Sequence, residues 1–408
     1  MLKSRTYRII TMLVILVMAF FVSSERIKAE SSALAGSESI LGFLRTKAQL
    51  DVGQLRTMFV VGDRVFTNSA NVNGSTNKLK VLDASTLEEH WSLDDSWHVY
   101  RGSEGEDPGI ILTRVRTESF ADLRIYDTDG NFLFAKDKFR GFLFSSPHSQ
   151  YFYSDFSPFT SNAFKVFDRE GNDLLPDFQP SGIWSAYAFN DSIIILSTTS
   201  EIQFISFKEG NILASIPAPD SPIGVEPMVK ILQSGSAAII NWFFTTLYID
   251  SKFEVTWTRN NEMTFYDAII SSDAKYVALL LGKTDPITKS TINMRLLLLE
   301  SKSGRELWNE EFSHPIGTSR YRNQGMKFIN GILQLIIPYS DNIDVSNLDP
   351  STQTHLYKYN MQTGALESKL VLQGLVEVAF TKNVFISISF QSGNGSVIES
   401  KSWTSGKR

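Results

Sequence analysis

The chain has 408 residues, of which 20% are charged and 42% hydrophobic, a globular balance that excludes a disordered chain. A net charge of -5, with no Lys/Arg cluster beyond the first residues, argues against nucleic acid as a partner. Cysteine is absent, which rules out disulfides, thiolate metal ligands, a cysteine nucleophile and a lipidated N-terminal cysteine.

At the N-terminus, Lys3, Arg5 and Arg8 precede an apolar run from Ile9 to Val22, broken only by Thr11. Those 14 positions fall short of the roughly 20 that a spanning helix needs and suit the core of a signal peptide. Ile27 and Ala29 occupy the -3 and -1 positions of a cleavage site after Ala29. Residues 1–29 are therefore expected to be a signal peptide or, if uncleaved, an N-terminal membrane anchor. Residues 38–408 are expected to form one domain that works outside the cytoplasm, periplasmic or secreted.

Seven segments then repeat one pattern: a four-residue β-prone run, a polar residue, a short turn and a second β-prone run. They include "LKVLDASTLEEHWSL" from Leu79, "LRIYDTDGNFLFAKD" from Leu123 and "LLLLESKSGRELWNE" from Leu296. The polar anchors are Asp83, Asp127, Asp168, Ser206, Asp250, Glu300 and Asn360. By subtraction they are spaced 44, 41, 38, 44, 50 and 60 residues apart, the period of a repeat with several strands per unit. Gly130, Gly171, Gly210, Gly304 and Gly364 follow their anchors by three or four residues, where a tight hairpin calls for positive φ. Asp127, Asp129 and Asn131 alternate like the opening of a calcium loop. The chain then runs into Phe132, Leu133 and Phe134 without the later ligands of an EF-hand, so a hairpin turn explains them.

Between the hairpins recurs a second unit, a strand, a polar turn and a very apolar strand, as in "AYAFNDSIIILS" from Ala186. There are eight such junctions for seven hairpins, and the stretch from Ile40 to Leu50 can supply a missing strand. The expectation is an all-β protein, a β-propeller of eight four-stranded blades with seven as the runner-up. The N- and C-terminal strands are expected to pair within one blade, which removes a free edge.

At "RLLLLESKSGRELWNEEF", Arg295 to Phe312, the sequence resembles the repeat of pyrroloquinoline-quinone-type, or quinoprotein-like, β-propellers. "LYKYNMQTGALESKL" lacks the tryptophan of that repeat, and "LKVLDASTLEEHWSL" keeps Asp83 and Trp91 without the glycine. The resemblance implies the scaffold alone. The family's dehydrogenases hold their quinone with a disulfide of adjacent cysteines, a calcium and an acid-base aspartate, and this chain has no cysteine. Propellers of this type without cofactor serve as exported binding or assembly scaffolds, so no cofactor is expected.

No catalytic or metal-ligating constellation stands out. His90, His98, His148, His314 and His355 form no pair at metal-binding spacing, and the usual hydrolase and nucleotide motifs are missing. "SEGEDP", Ser103 to Pro108, gathers three carboxylates that read as a solvated loop. Trp91, Trp257 and Trp308 occupy equivalent hairpin positions and read as packing between sheets. Trp97, Trp184 and Trp242 do not, and are the candidate partner-binding residues at a rim or channel. Two connections are long, Gly282 to Asn293 and Tyr339 to Thr354, and are expected on one side of the ring. The expected role is a non-catalytic module binding a protein or glycan partner through loops on one face. The alternative is an extracytoplasmic hydrolase or lyase with its site at the channel mouth.

Overall fold

A computed structural model describes residues 42–405 except 71–76, 96, 104–106, 118–119, 155–163, 177, 179–182, 199, 219–226, 233, 243, 285–290, 314–324, 340–352, 374–376, 381–384 and 392–394. Among the described residues there is no α-helix, and hence none long and apolar enough to cross a membrane. The apolar run Ile9 to Val22 lies outside them.

The chain begins with β1 (Gly42–Val61), β2 (Arg64–Ala70), β3 (Asn77–Asp83) and β4 (Glu89–Asp95). Next come β5 (His98–Arg101), β6 (Ile110–Thr117), β7 (Phe120–Tyr126) and β8 (Phe132–Phe139), which form one antiparallel sheet in that order. A smaller sheet holds β9 (Leu143–Ser145), β10 (Tyr151–Ser154) and β11 (Val166–Asp168), with an isolated bridge from Phe167 to Asp173 where a fourth strand would run. Four-stranded sheets follow from β12 (Ile183–Ala188), β13 (Ile193–Thr198), β14 (Glu201–Ser206) and β15 (Ile212–Pro217). The same pattern holds for β16 (Met228–Ile231), β17 (Ala238–Trp242), β18 (Thr245–Ile249) and β19 (Val255–Asn260). It recurs in β20 (Thr264–Ile270), β21 (Tyr276–Thr284), β22 (Thr291–Glu300) and β23 (Glu306–Ser313). It recurs again in β24 (Gly325–Ile329), β25 (Ile332–Tyr339), β26 (Gln353–Asn360) and β27 (Leu366–Gln373). The last strands are β28 (Glu377–Phe380), β29 (Phe385–Gln391) and β30 (Gly395–Ser405).

These last three join β1 to β4 in one seven-stranded sheet, β28-β29-β30-β1-β2-β3-β4. Here β1 does two jobs. Gly42 to Gly53 pairs with β30, starting at Gly42 opposite Ser405, while Gln54 to Val61 pairs with β2. The chain's first strand is therefore closed onto its last. Register shifts at Asp51/Gly53 and Leu55/Thr57 mark the changeover, and Ile386 and Ile398 of one half share a core with Val65 and Leu82 of the other. Hydrogen bonding thus yields seven sheets, the runner-up number, and not eight separate ones, because β1 carries the closing unit into the first without a break. The fold is an all-β β-propeller.

The core lies between successive sheets, and among the described residues six of these interfaces each hold an apolar cluster. Second strands such as β17 are buried along their whole length, as strands covered on both faces must be. Fourth strands such as β15, β19 and β23 are largely exposed. First strands touch across sheets, β16 with β20, β20 with β24 and β1 with β5, so they lie toward the ring's axis.

One position joins neighbouring sheets. In six third-to-fourth strand pairs the register shifts just beyond the same fourth-strand residue: Trp91, Phe134, Ala214, Trp257, Trp308 and Ser368. The tryptophans lie over the hairpin turn of the next sheet. A Cβ on Gly130 would meet Trp91 at 2.9 Å, one on Gly304 would meet Trp257 at 2.8 Å, and one on Gly364 would meet Trp308 at 2.7 Å. Each indole N–H also donates to a carbonyl of that turn: Trp91 to Thr128 (3.2 Å), Trp257 to Ser301 (2.6 Å) and Trp308 to Met361 (3.2 Å). Phe134 takes the same place over Gly171. At the rudimentary fourth strand Leu175 does so over Gly210. All five glycines have positive φ.

Gly304→Ala separates this packing from backbone strain. Ala in the left-handed region costs about 1–2 kcal/mol, the penalty expected for Gly62→Ala, whose Cβ would have nothing within 4 Å. Gly304→Ala adds an overpacking cost of about 1–3 kcal/mol against Trp257. Denaturant unfolding of the two variants is expected to rank Gly304→Ala clearly below Gly62→Ala.

Candidate functional site

The antiparallel strand order gives the ring two unlike faces. Connections from first to second and from third to fourth strand emerge on one face, the turn face. Connections from second to third strand, and from one sheet to the next, emerge on the other, the loop face. Both long connections, Gly282 to Asn293 and Tyr339 to Thr354, belong to the loop face, and residues 285–290 and 340–352 within them lie outside the described residues.

The turn face is built from hairpins whose anchor side chain folds onto its own loop. Asp127 Oδ1 accepts the backbone N–H groups of Asp129 (3.0 Å) and Asn131 (2.9 Å), and Asp168 Oδ1 those of Glu170 (3.1 Å) and Asn172 (2.7 Å). Asp250 treats Lys252 and Glu254 alike, and Asp83 treats Ser85 and Thr86 alike. Hydrogen bonds hold both Asp83 and Asp168 below the usual carboxylate range: the Thr86 backbone N–H leads for Asp83, and for Asp168, against its burial, the Asn172 side-chain amide leads. The Asp127 turn is further gripped from both neighbouring sheets. Arg64 donates to Thr128 O (2.5 Å) and pairs with Asp129 (2.5 Å), and Arg169 pairs with Asp127 (3.3 Å). The hairpin expectation for Asp127, Asp129 and Asn131 matches this geometry. Among the described residues no group of three His, Asp or Glu is placed to hold a metal ion.

Of the candidate tryptophans, the two whose side chains are described lie in cores. Trp97 is 6% exposed in the core between the first sheet and the β5–β8 sheet, with the Arg124 guanidinium 4.8 Å from its ring centroid. Trp242 is 4% exposed in another core, between the β12–β15 and β16–β19 sheets. Trp184 belongs to β12, and its side chain lies outside the described residues. Trp97 and Trp242 thus pack between sheets, because the ends of inner and second strands here are covered by the adjacent sheet. Neither is available to a partner without leaving its core.

The loop face instead exposes apolar residues that no motif marks. Phe142, just before β9, is 61% exposed; Met228, the first residue of β16, is 42% exposed; Phe244, in the β17–β18 connection, is 39% exposed. All three lie at the sheet ends from which the long connections leave. Nothing in sequence distinguishes them from core hydrophobics, since their exposure comes from the strand end at which they fall.

The histidines are dispersed. His90 and His98 are exposed, and His314 lies outside the described residues. His148 Nδ1 meets Asp191 Oδ2 at 2.5 Å between adjacent sheets. His355, on β26, touches Tyr357 OH (3.1 Å) and Gln353 Oε1 (3.0 Å). Burial, with the Lys369 cation beside it, pulls His355 down to about 4. Of the "SEGEDP" loop, residues 104–106 lie outside the described residues; Asp107 accepts the Thr128 hydroxyl at 2.5 Å and so ties into the neighbouring hairpin.

No protein-family model matches the chain, and neither does any curated protein. Solved structures do resemble it. Hsv2 of Kluyveromyces lactis with its loop 6CD replaced by a Gly-Ser linker aligns at 12% identity and a TM-score of 0.50. That alignment covers 79% of this chain and 98% of that one. A eukaryotic initiation factor aligns at 9% identity and a TM-score of 0.54, over 86% of this chain and 90% of that one. At such identities the likeness carries the fold alone.

A histidine held neutral in the folded chain weakens it where the unfolded chain takes up a proton. The folded value lies below the unfolded value of about 6.5. The contribution is therefore intact above pH 6.5 and falls as the pH drops toward 4. His355→Gln is expected to flatten the pH dependence of stability across that window, as read by denaturant unfolding at pH 4.5 and pH 7.

Proposed function

We propose that the protein is an exported, non-catalytic β-propeller that binds a protein or glycan partner through the loop face. The observation that carries this is the coincidence, on one face, of the connections Gly282 to Asn293 and Tyr339 to Thr354 with exposed Phe142, Met228 and Phe244. Exposed apolar side chains beside long connections are the composition of a recognition surface. The turn face spends its polar groups on its own hairpins, and its exposed apolar residues, Phe132, Ile212, Leu213, Val255 and Leu307, lie at the starts of the fourth strands, beside short turns. Export rests on the basic residues and short apolar run at the N-terminus, which also supports a periplasmic or secreted location. The quinoprotein-like character rests on Trp257 and Trp308, which lie over Gly304 and Gly364 within the repeats that carry the sequence resemblance. The reading invokes no cofactor.

Affinity capture from an envelope fraction tests this reading. The unaltered chain is expected to retain a discrete partner, and Phe142→Ser/Met228→Ser/Phe244→Ser to retain at least about tenfold less, given the roughly 1.5–3 kcal/mol that fully burying each apolar side chain is worth. Equal capture by both, with matching melting curves, would contradict the assignment of the binding face.

A further inference from the structure

The chain between β8 and β9 is held more firmly than a surface connection requires. Lys138, near the end of β8, has φ +52, and Gly141, just after that strand, has φ +82. A non-glycine residue in the left-handed region is strained, and such strain gathers at ligand clamps. The Asp122 carboxylate, itself buried, fixes this backbone by accepting the Lys138 N–H at 3.1 Å. Phe139 packs into the core between the β5–β8 and β9–β11 sheets, its ring centroid 6.1 Å from that of Phe167. The guanidinium of exposed Arg140 lies 4.5 Å from the Phe120 ring centroid. Phe142, exposed as described above, meets Tyr100 edge to face at 6.3 Å, and the Tyr100 hydroxyl accepts the Leu143 N–H at 3.3 Å. Lys138, Arg140 and Phe142 therefore stand at the loop face on a backbone anchored at both ends.

We propose that this connection is a loop-face clamp for an acidic peptide segment, whose carboxylates meet Lys138 and Arg140 and whose apolar side chain meets Phe142. The inference rests on the loop-face reading and names the chemistry of the partner. Arginine and aromatic side chains fixed before binding dominate interfaces, because little ordering cost remains when the partner arrives. An arginine lying on a ring can still turn its planar fork to a carboxylate, and a lysine acts as a point charge. Exposed Arg114 of β6, opposite Asp122 in register, adds a third cation at the same end. Among the described side chains of this sheet's loop-face end the acids are Asp122, which is buried, and Asp137. The exposed charge there is thus positive, in a chain whose net charge is -5. A neutral glycan offers these cations no counter-charge, whereas a peptide mixing acidic and apolar residues matches both them and Phe142.

The test is fluorescence anisotropy of the full chain with a labelled decapeptide alternating Glu and Leu, beside its Lys–Leu counterpart and an oligogalacturonate. Saturable binding is expected for the Glu–Leu peptide, weakening as salt rises, and not for the Lys–Leu peptide. Arg140→Gln and Phe142→Ser should each weaken it at least about tenfold. Lys302→Gln, on an exposed turn of the other face, should leave it unchanged. Lys138→Gly should also weaken binding yet melt no lower than the unaltered chain, because glycine adopts positive φ without strain. That result separates lost binding from lost folding. No saturable binding of the Glu–Leu peptide, equal binding of the Lys–Leu peptide, or binding unchanged in Arg140→Gln would overturn the proposal. Oligogalacturonate bound as tightly as the Glu–Leu peptide, or more tightly, would overturn the peptide assignment. Each of these leaves the loop face standing as a partner surface, since that reading fails only if capture survives the loss of Phe142, Met228 and Phe244 together.

Discussion

The ring depends on one contact, repeated at seven places: a side chain at the fourth-strand position of one repeat laid on a positive-φ residue in the turn of the next. Its constraint is volume. Where the turn residue is Gly130, Gly171, Gly210, Gly304 or Gly364, the strand supplies Trp91, Phe134, Leu175, Trp257 or Trp308. Where the turn residue is bulky, the strand residue shrinks. Phe253 has φ +67, and its ring centroid lies 4.7 Å from that of Phe204, whose cross-strand neighbour is Ala214. Leu87 has φ +60 and shares a core with Ala48, which stands at the matching register shift on β1. Left-handed backbone is costly for Leu and Phe, so these two turns are held by the packing around them. Ser368 occupies the same register position, but the unit after it has no third-to-fourth hairpin, because chain closure replaces it with β30 and β1.

This contact explains how short sheets become a closed ring. Sheets of four strands bury their apolar faces only against one another, so each interface must fill at close to crystalline density. A tryptophan on a glycine fills the outer part of the wedge, where the sheets splay, and its indole N–H satisfies a turn carbonyl that would otherwise face an aromatic ring. Toward the axis the wedge narrows and smaller aliphatic residues suffice, as in Val277, Leu279 and Leu281 along β21. Closure then needs no special element. β1 pairs with β30 over its first half and begins the first sheet with its second.

Much of this was legible in the sequence. Anchor, turn glycine and strand tryptophan recur at fixed offsets, and hairpin chemistry is local enough to read from four residues. The two bulky turns were not legible, because a leucine or phenylalanine at positive φ leaves no local mark and its explanation, an alanine, lies about forty residues earlier or at the start of β1. The blade number was misjudged for a similar reason. Repeats count units, whereas sheets are counted by hydrogen bonds, and β1 serves two units at once. The candidate site was the least legible part. Trp97 and Trp242 are large and irregularly placed, which marks surface binders and core fillers alike, whereas Phe142, Met228 and Phe244 are exposed only because of the strand ends they occupy.

The central claim is that the strand and turn positions are coupled by volume. A double-mutant cycle on Ala214→Trp and Phe253→Gly measures that coupling directly, since it converts an inverted junction into the common form. Each single change is expected to destabilise, the first by overpacking and the second by leaving a void beside Phe204. The pair together should cost less than their sum by at least about 1 kcal/mol, within the range found for residues in contact. Strict additivity would contradict the account.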